Sequence, residues 1–293
     1  MKDARTHDGL AARRLGGWDA VEPSDRRCND RWWPETRAAV AAAQAAGELL
    51  LARAGRARHV RLKSAKDPVT EVDVAAERCI RRMLGRQFPR IGFVGEEGSV
   101  VEGPDGRWIV DPLDGTLAFV AGLPFFSVLI ALERRGVLVS SVTYVPSFRE
   151  CFVAERGHGA WLNGRRLRVS SRKRLIDCIV ALWHDDSVWS NRALRERIAA
   201  LALRVRNVRI FGAGYGLANV AAGRLDAYWE QSAKPWDIAA GSLLVEEAGG
   251  RVTDGRGSPL DLNQSTILAS NGHTHRRLVA ALAPPIRGRT RKR

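Results

Sequence analysis

The segment Trp108-Ile109-Val110-Asp111-Pro112-Leu113-Asp114-Gly115-Thr116 constrains this chain most: an apolar strand runs directly into two acids separated by two residues. Carboxylates at the end of a buried strand are costly unless something cationic meets them. The Gly-Thr that follows is suited to start a helix, whose free N–H groups and dipole bind phosphate oxygens. One short segment thus offers metal ligands beside an anion cradle, and hard oxygen ligands suit Mg2+ better than Zn2+. Taken alone, Asp-Pro and Asp-Gly are also common turn dipeptides, so a plain turn stays open.

Three more acidic sites shift the balance. Gly95-Glu96-Glu97-Gly98 follows an expected strand, Thr70-Glu71-Val72-Asp73 precedes an expected helix, and Trp236-Asp237 opens another. Individually, Asp73 and Asp237 fit ordinary helix N-caps and the Glu pair fits a solvated turn. Their combination with Asp-x-x-Asp-Gly-Thr is the specific signal.

Along the chain, Met1 to Trp33 shows no sustained period and reads as a disordered leader outside the fold. Pro34 opens an Ala- and Leu-rich helix to about Ala54, followed by a loop rich in Arg and Lys. Ile80, Met83, Leu84 and Phe88 recur at three- and four-residue steps, predicting a helix over Val74 to Phe88 that Pro89 ends. Strands are expected at Ile91–Val94, Trp108–Val110, Ser127–Leu132, Val137–Tyr144 and Cys151–Ala154. The second half alternates: helices at 191–203, 217–222, 236–248 and 275–282, and strands at 205–211, 226–230, 251–253 and 266–269. Phe119 to Leu132, broken by Gly122, Pro124 and Ser127, falls short of the ~20 residues a bilayer-spanning helix needs and reads as buried strand.

The net charge of +15 is compatible with nucleic acid, headgroups or acidic small molecules. The basic stretches Arg53–Lys66, Arg165–Arg174 and Arg287–Arg293 carry it, but 41 Arg against 6 Lys is also what a GC-rich codon pool produces, and charge runs are usually solvated faces. Nucleic-acid binding and membrane association are therefore not expected. Lys63 and Lys66 lead toward Asp73 and are expected to border the cleft and attract dianions. Cys28, Cys79, Cys151 and Cys178 lack ligand spacing and read as reduced structural thiols. His184-Asp185-Asp186 reads as a polar loop, and Gly212-x-Gly214-x-Gly216 lacks the nucleotide-binding Lys-Ser/Thr.

Together with Gly159-Ala160-Trp161-Leu162-Asn163-Gly164, Ala222-Gly223-Arg224-Leu225-Asp226, and Lys234-Pro235-Trp236-Asp237 leading to Glu247-Ala248-Gly249-Gly250, these elements resemble the inositol monophosphatase family of lithium-sensitive, magnesium-dependent phosphatases. The likeness runs from about Lys66 to Asn271. A haloacid dehalogenase type needs Asp-x-Asp, and the spacing here is Asp-x-x-Asp.

The resemblance implies an α+β fold, a layered αβαβα sandwich of the inositol monophosphatase/fructose-1,6-bisphosphatase type. It implies a homodimer acting on a small phosphate monoester, with inositol-1-phosphate or a related sugar phosphate first; a cytoplasmic location is expected because the sequence shows no secretory signal or bilayer-spanning run. Histidinol phosphate and 3′(2′),5′-bisphosphate nucleotides are the alternatives, as is a catalytically silent relative that binds RNA or a partner. The expected organisation is a leader at 1–33, an α+β subdomain at 34–165 with most ligands, an α/β subdomain at 166–284 and a basic tail at 285–293.

Residue by residue, Glu96, Asp111 and the carbonyl of Leu113 would hold one Mg2+. Asp111, Asp114 and Asp237 would hold a second, and Glu96 with water a weaker third. Asp73, Glu96 and Thr116 would serve the attacking water. Asp114, Gly115, Thr116, Gly212 and Ala213 would face the substrate, and Glu230 a sugar hydroxyl, although Glu at a strand end is also an ordinary solvated residue. The chain departs from the family at Leu117 and Ala118, where relatives carry polar residues, and at Phe211-Gly212-Ala213-Gly214, where they read Gly-Ser-Ala-Ala or similar. Lys234 and Trp236 have plain readings as a surface lysine and a core ring.

Overall fold

The computed structural model describes residues 31–57, 59–64, 67–183, 186–264 and 266–283. In chain order the elements are α1 (Pro34–Leu51), β1 (Val60–Ser64), β2 (Asp67–Thr70), α2 (Glu71–Gln87), β3 (Gly92–Gly95), β4 (Val100–Val101), β5 (Arg107–Asp114), α3 (Thr116–Val120), β6 (Ser127–Arg134), β7 (Val137–Val145), β8 (Glu150–Glu155), β9 (Gly159–Leu162) and β10 (Arg165–Arg166). The second half contributes β11 (Ile179–Trp183), α4 (Asp186–Ser190), α5 (Arg192–Ala202), β12 (Asn207–Ile210), α6 (Ala213–Ala221), β13 (Ala227–Gln231), α7 (Pro235–Glu247), β14 (Arg251–Thr253), β15 (Thr266–Ser270) and α8 (His275–Leu282).

Three sheets form: β1-β2 alone, an eight-stranded sheet ordered β10-β9-β8-β7-β6-β5-β3-β4, and a five-stranded sheet ordered β12-β11-β13-β15-β14. Strand alternation decides what each face covers. On β6, Val128, Ile130 and Leu132 join one core with α1 and α2, while Leu129 and Ala131 join another with α6 and α7. On β13, Tyr228 faces that same central core, whereas Ala227 and Trp229 face a third core with Leu194, Leu201, Leu278 and Leu282 of α5 and α8. The result is α1/α2, large sheet, α6/α7, small sheet, α5/α8: the expected αβαβα layering.

The helix over 71–87 starts three residues before the periodicity predicts. Thr70 caps it: its Oγ1 accepts the Val72 N–H at 3.1 Å, and Asp73 Oδ2 accepts the Thr70 N–H at 2.9 Å, a capping box built from Thr-Glu-Val-Asp.

Some expectations need correction. Phe119 does not open a strand; it lies in the short helix α3, and pairing begins only at Ser127. The loop rich in Arg and Lys holds the β1–β2 hairpin. Trp32 and Trp33 are not outside the fold. Trp32 is buried edge-on to Trp161 at 6.0 Å, and the Trp33 N–H donates to Glu155 Oε1 at 2.6 Å. Cys79, Cys151 and Cys178 are free thiols. Cys28, Lys66, His184, Asp185 and the tail Arg287–Arg293 lie outside the described residues. Among the described residues, no helix is long and apolar enough to cross a membrane.

Candidate active site

The central feature is a bulge in β5. Asp111 pairs with Leu129 and Asp114 with Ser127, so three steps on β5 oppose two on β6. In a regular strand, residues three apart face opposite sides; the extra residue cancels that and lets both acids serve one site. The turn is held locally, with the Leu113 N–H donating to Asp111 Oδ1 at 2.9 Å. Gly115 then takes φ 87°, and a Cβ there would lie 2.6 Å from the Phe125 carbonyl oxygen, so only glycine makes this turn without strain. Of the two residues where the chain departs from the family, Leu117 on α3 is exposed and Ala118 is half-buried.

Four elements bring the acids together. Asp111 is buried, and its carboxyl is pushed well above the ordinary aspartate range, first by burial and then by the charges of Glu96, Asp114 and Asp237; the Glu96 side chain also hydrogen-bonds it. Asp114 is raised to about 6 by burial and Glu96, against donation from Ser127 Oγ at 2.9 Å and the Gly214 N–H at 3.0 Å. Asp237 is raised to about 8 by burial, then by Asp114 and Glu96, opposed by the Lys234 N–H at 2.7 Å and the Lys234 charge. Glu97 is raised to about 7 by burial, although Lys63 pulls the other way. Each acid makes the next harder to ionise.

Asp73 and Asp237 are third residues of their helices rather than N-caps. Each fixes its own helix start while lying beside the other carboxyls, so a part in the helix start does not preclude a part in the site. Burial raises the Asp73 carboxyl, against donation from Thr70 and Thr116. Thr116 Oγ1 lies 3.2 Å from Asp73 Oδ1 and 3.1 Å from the Leu113 carbonyl, tying α2 to the end of β5.

The remaining expected residues fall as follows. Gly212 stands beside the Asp114 carboxylate, and the amides of Ala213 and Gly214 are directed at that carboxylate. Glu230 is buried and accepts the Tyr228 hydroxyl at 2.7 Å. Lys63 Nζ contacts Glu96 Oε1 at 2.9 Å and Glu97 Oε1 at 2.7 Å. Sequence reasoning does not find Ser127, Gly214 or Glu77. Glu77 had a signal: it lies four residues after Asp73 on one helix face, and its buried carboxylate accepts the Glu97 N–H at 2.7 Å and the Ser99 N–H at 3.1 Å. A side chain at Gly95 would collide with it, which accounts for Gly before the Glu pair.

These residues suit a hard divalent cation by donor chemistry: oxygen ligands whose repulsion such an ion relieves. Among the described residues, no three acidic, His or Cys side chains are already closed around one point. Glu96 instead meets a hydrogen-bonded Asp111 and the Lys63 ammonium. A separate cavity of about 300 Å³ lies toward the start of β5, lined by Glu102, Gly106, Arg107 and Glu133, and has no such carboxylate cluster.

The model of the inositol monophosphatase family matches residues 32–287. The inositol-1-monophosphatase of Rhizobium meliloti (strain 1021) is 41% identical over 237 residues, covering 78% of this chain and 87% of that protein. A Pseudomonas aeruginosa protein named Nus factor SuhB is 41% identical over 261 residues, covering 86% and 96%. The crystal structure of the extragenic suppressor protein suhB from Bartonella henselae superposes with a TM-score of 0.80 at 40% identity, covering 86% of this chain and 99% of that one. The fold and these likenesses define a phosphoric monoester hydrolase. The chain belongs to the inositol monophosphatase family.

Proposed function

We propose that the chain hydrolyses inositol-1-phosphate or a related sugar phosphate with Mg2+ held by Glu96, Asp111, the Leu113 carbonyl, Asp114 and Asp237. The carrying observation is the convergence of Glu96, Asp111, Asp114 and Asp237, where neighbouring charge raises the proton affinity of Asp111, Asp114 and Asp237, a crowding of carboxyl groups that a divalent cation relieves. When bound, the ions supply acidity to a water and neutralise phosphoryl charge. The Thr116 hydroxyl donates toward Asp73 Oδ1 and the Leu113 carbonyl, which leaves its lone pairs free to take a hydrogen bond from a nucleophilic water. Ser127 and Gly214 hold Asp114 in one orientation, and Lys234 does the same for Asp237 through its amide. The Gly115–Thr116 turn offers backbone amides to the phosphate side.

The test is a screen of inositol, fructose, histidinol and adenosine 3′,5′-phosphates with Mg2+ and with chelator, beside Asp111→Asn. Activity highest on inositol or sugar phosphates, lost in chelator and reduced at least about 10³-fold in the variant, supports the reading. Undiminished turnover in either arm refutes the metal role, and preference for histidinol or the bisphosphate moves the substrate. A second reading, RNA or partner binding, draws on the +15 charge and on the name of the Pseudomonas aeruginosa relative. Salt-sensitive RNA binding by the purified chain would establish it.

A further inference from the structure

Glu77 is a buried carboxylate that the proposed hydrolysis does not use. It lies one helical turn after Asp73 on α2, a spacing at which two like charges oppose helix formation. Its oxygens serve the backbone of another element: Oε2 accepts the Glu97 N–H at 2.7 Å and Oε1 the Ser99 N–H at 3.1 Å. Among the described residues, these two N–H groups have no other acceptor. The turn they belong to links β3 to β4 and contains Glu96. It is closed by the Gly95 N–H on the Ser99 carbonyl at 2.8 Å, and it has glycine at 95 and again at 98, where φ is 94°. Such a turn holds little shape of its own, since glycine leaves the backbone free. At Gly95 the Glu77 carboxylate fills the space a Cβ would need.

The neighbouring strand gives this contact its reach. β3 and β5 run parallel with Gly95 beside Val110, so the turn with Glu96 and the turn with Asp114 and Thr116 leave the sheet at the same end. One face of α2 meets both: Asp73 Oδ1 takes the Thr116 hydroxyl at 3.2 Å, and Glu77 takes the two amides after β3. Four residues of helix rise about 6 Å, and that fixed step spaces the two acid-bearing turns.

We propose that Glu77 is a positioning residue, which holds the Glu97 and Ser99 amides and thereby fixes the turn that presents Glu96 to a divalent ion. This rests on Glu96 being a cation ligand, as proposed above. The operative feature of Glu77 is its pair of acceptor oxygens rather than its charge. Glutamine has the same shape but only one acceptor, and it turns an NH2 group against the second amide.

The test uses the full chain as wild type, Glu77→Gln, Glu96→Gln and the double variant. In chelator, hydrogen exchange followed by NMR should be about tenfold or more faster at the Glu97 and Ser99 amides of Glu77→Gln, the range that a hydrogen bond to a charged group corresponds to, and unchanged at Ile109 and Val110. Calorimetric titration with Mg2+ alone should show binding about three- to tenfold weaker in Glu77→Gln. Loss of a negative charge also weakens cation binding through the field, and the double variant separates the two effects. A field persists without Glu96 and positioning does not, so in the Glu96→Gln background Glu77→Gln should change Mg2+ affinity by less than about twofold. Unchanged exchange at Glu97 and Ser99, exchange that quickens equally in β5, unchanged Mg2+ affinity in Glu77→Gln, or a loss as large in the Glu96→Gln background as in wild type overturns the proposal alone. Wild type that binds no Mg2+, or Glu96→Gln that binds it as tightly as wild type, overturns the reading of Glu96 as a ligand and this proposal with it.

Discussion

Replacing Asp237 with asparagine should stabilise the metal-free protein at alkaline pH while abolishing the enzyme. Asparagine keeps the helix start, because its side-chain oxygen can still accept the Lys234 N–H that Asp237 accepts at 2.7 Å. What it removes is a charge whose proton affinity is raised from 3.8 to about 8, by burial first and then by Asp114 and Glu96. Roughly four decades at about 1.4 kcal/mol each set a ceiling of about 6 kcal/mol. Asp237 is only half-buried, so solvent screening and shared protonation with its neighbours bring the expected effect to about 1–3 kcal/mol.

The pH window follows from the direction of the shift. Between about pH 4 and 8 the folded metal-free chain holds a proton that the unfolded chain has released, so the stability this group contributes is complete below pH 4 and lost as pH passes 8. Asp237→Asn lacks that loss. Urea unfolding in chelator, followed by circular dichroism, should show the two proteins about equal near pH 5 and the variant ahead by about 1–3 kcal/mol near pH 8.5. Excess Mg2+ should reverse the order, since only wild type keeps the full ligand set. A variant equal to or weaker than wild type near pH 8.5 in chelator would refute the account of crowded charge.

Gly115→Ala should cost about 2–4 kcal/mol, read as a fall in Tm, because it combines positive φ with a Cβ against the Phe125 carbonyl; an unchanged Tm would mean the turn relaxes freely. Thr116→Ala should lower kcat about 10- to 100-fold with little change in KM, and Thr116→Ser should restore most of it; equal behaviour of the two would remove the hydroxyl from the proton path. Deleting Arg287–Arg293 should leave kcat/KM within about twofold, since these residues follow every site element in the sequence; a larger fall would give the tail a part in the reaction.

The layering was legible because long periodic segments dominate it: the 3.6-residue spacing of Ile80, Met83, Leu84 and Phe88, and the apolar run of β6. The acids were legible as a group because Asp-x-x-Asp-Gly-Thr, Gly-Glu-Glu and Trp-Asp stand at element ends, where burial and polarity conflict. The bulge was not, since pairing register depends on the partner strand and Pro112-Leu113 reads equally well as a turn. Short pairings such as β1–β2 and β9 escaped for a related reason: their strand identity comes from neighbours rather than from their own alternation. The donors to Asp114 come from Gly214, a hundred residues away, and no local pattern encodes such a contact.

That separation has a consequence for how the chain is made. At about 5–20 residues per second, Asp114 is synthesised some 5–20 s before Gly214, and Asp237 follows later still. During that interval the acids of β5 have neither the amides of α6 nor the enclosing second sheet, so they remain hydrated and ionised, and the growing edge beside them stays charged. Only when the second half docks do the carboxyls move to about 6 and about 8. Near neutral pH, in the absence of divalent ions, closing the two halves therefore takes protons up from solution, and the last stage of folding acts as a weak base.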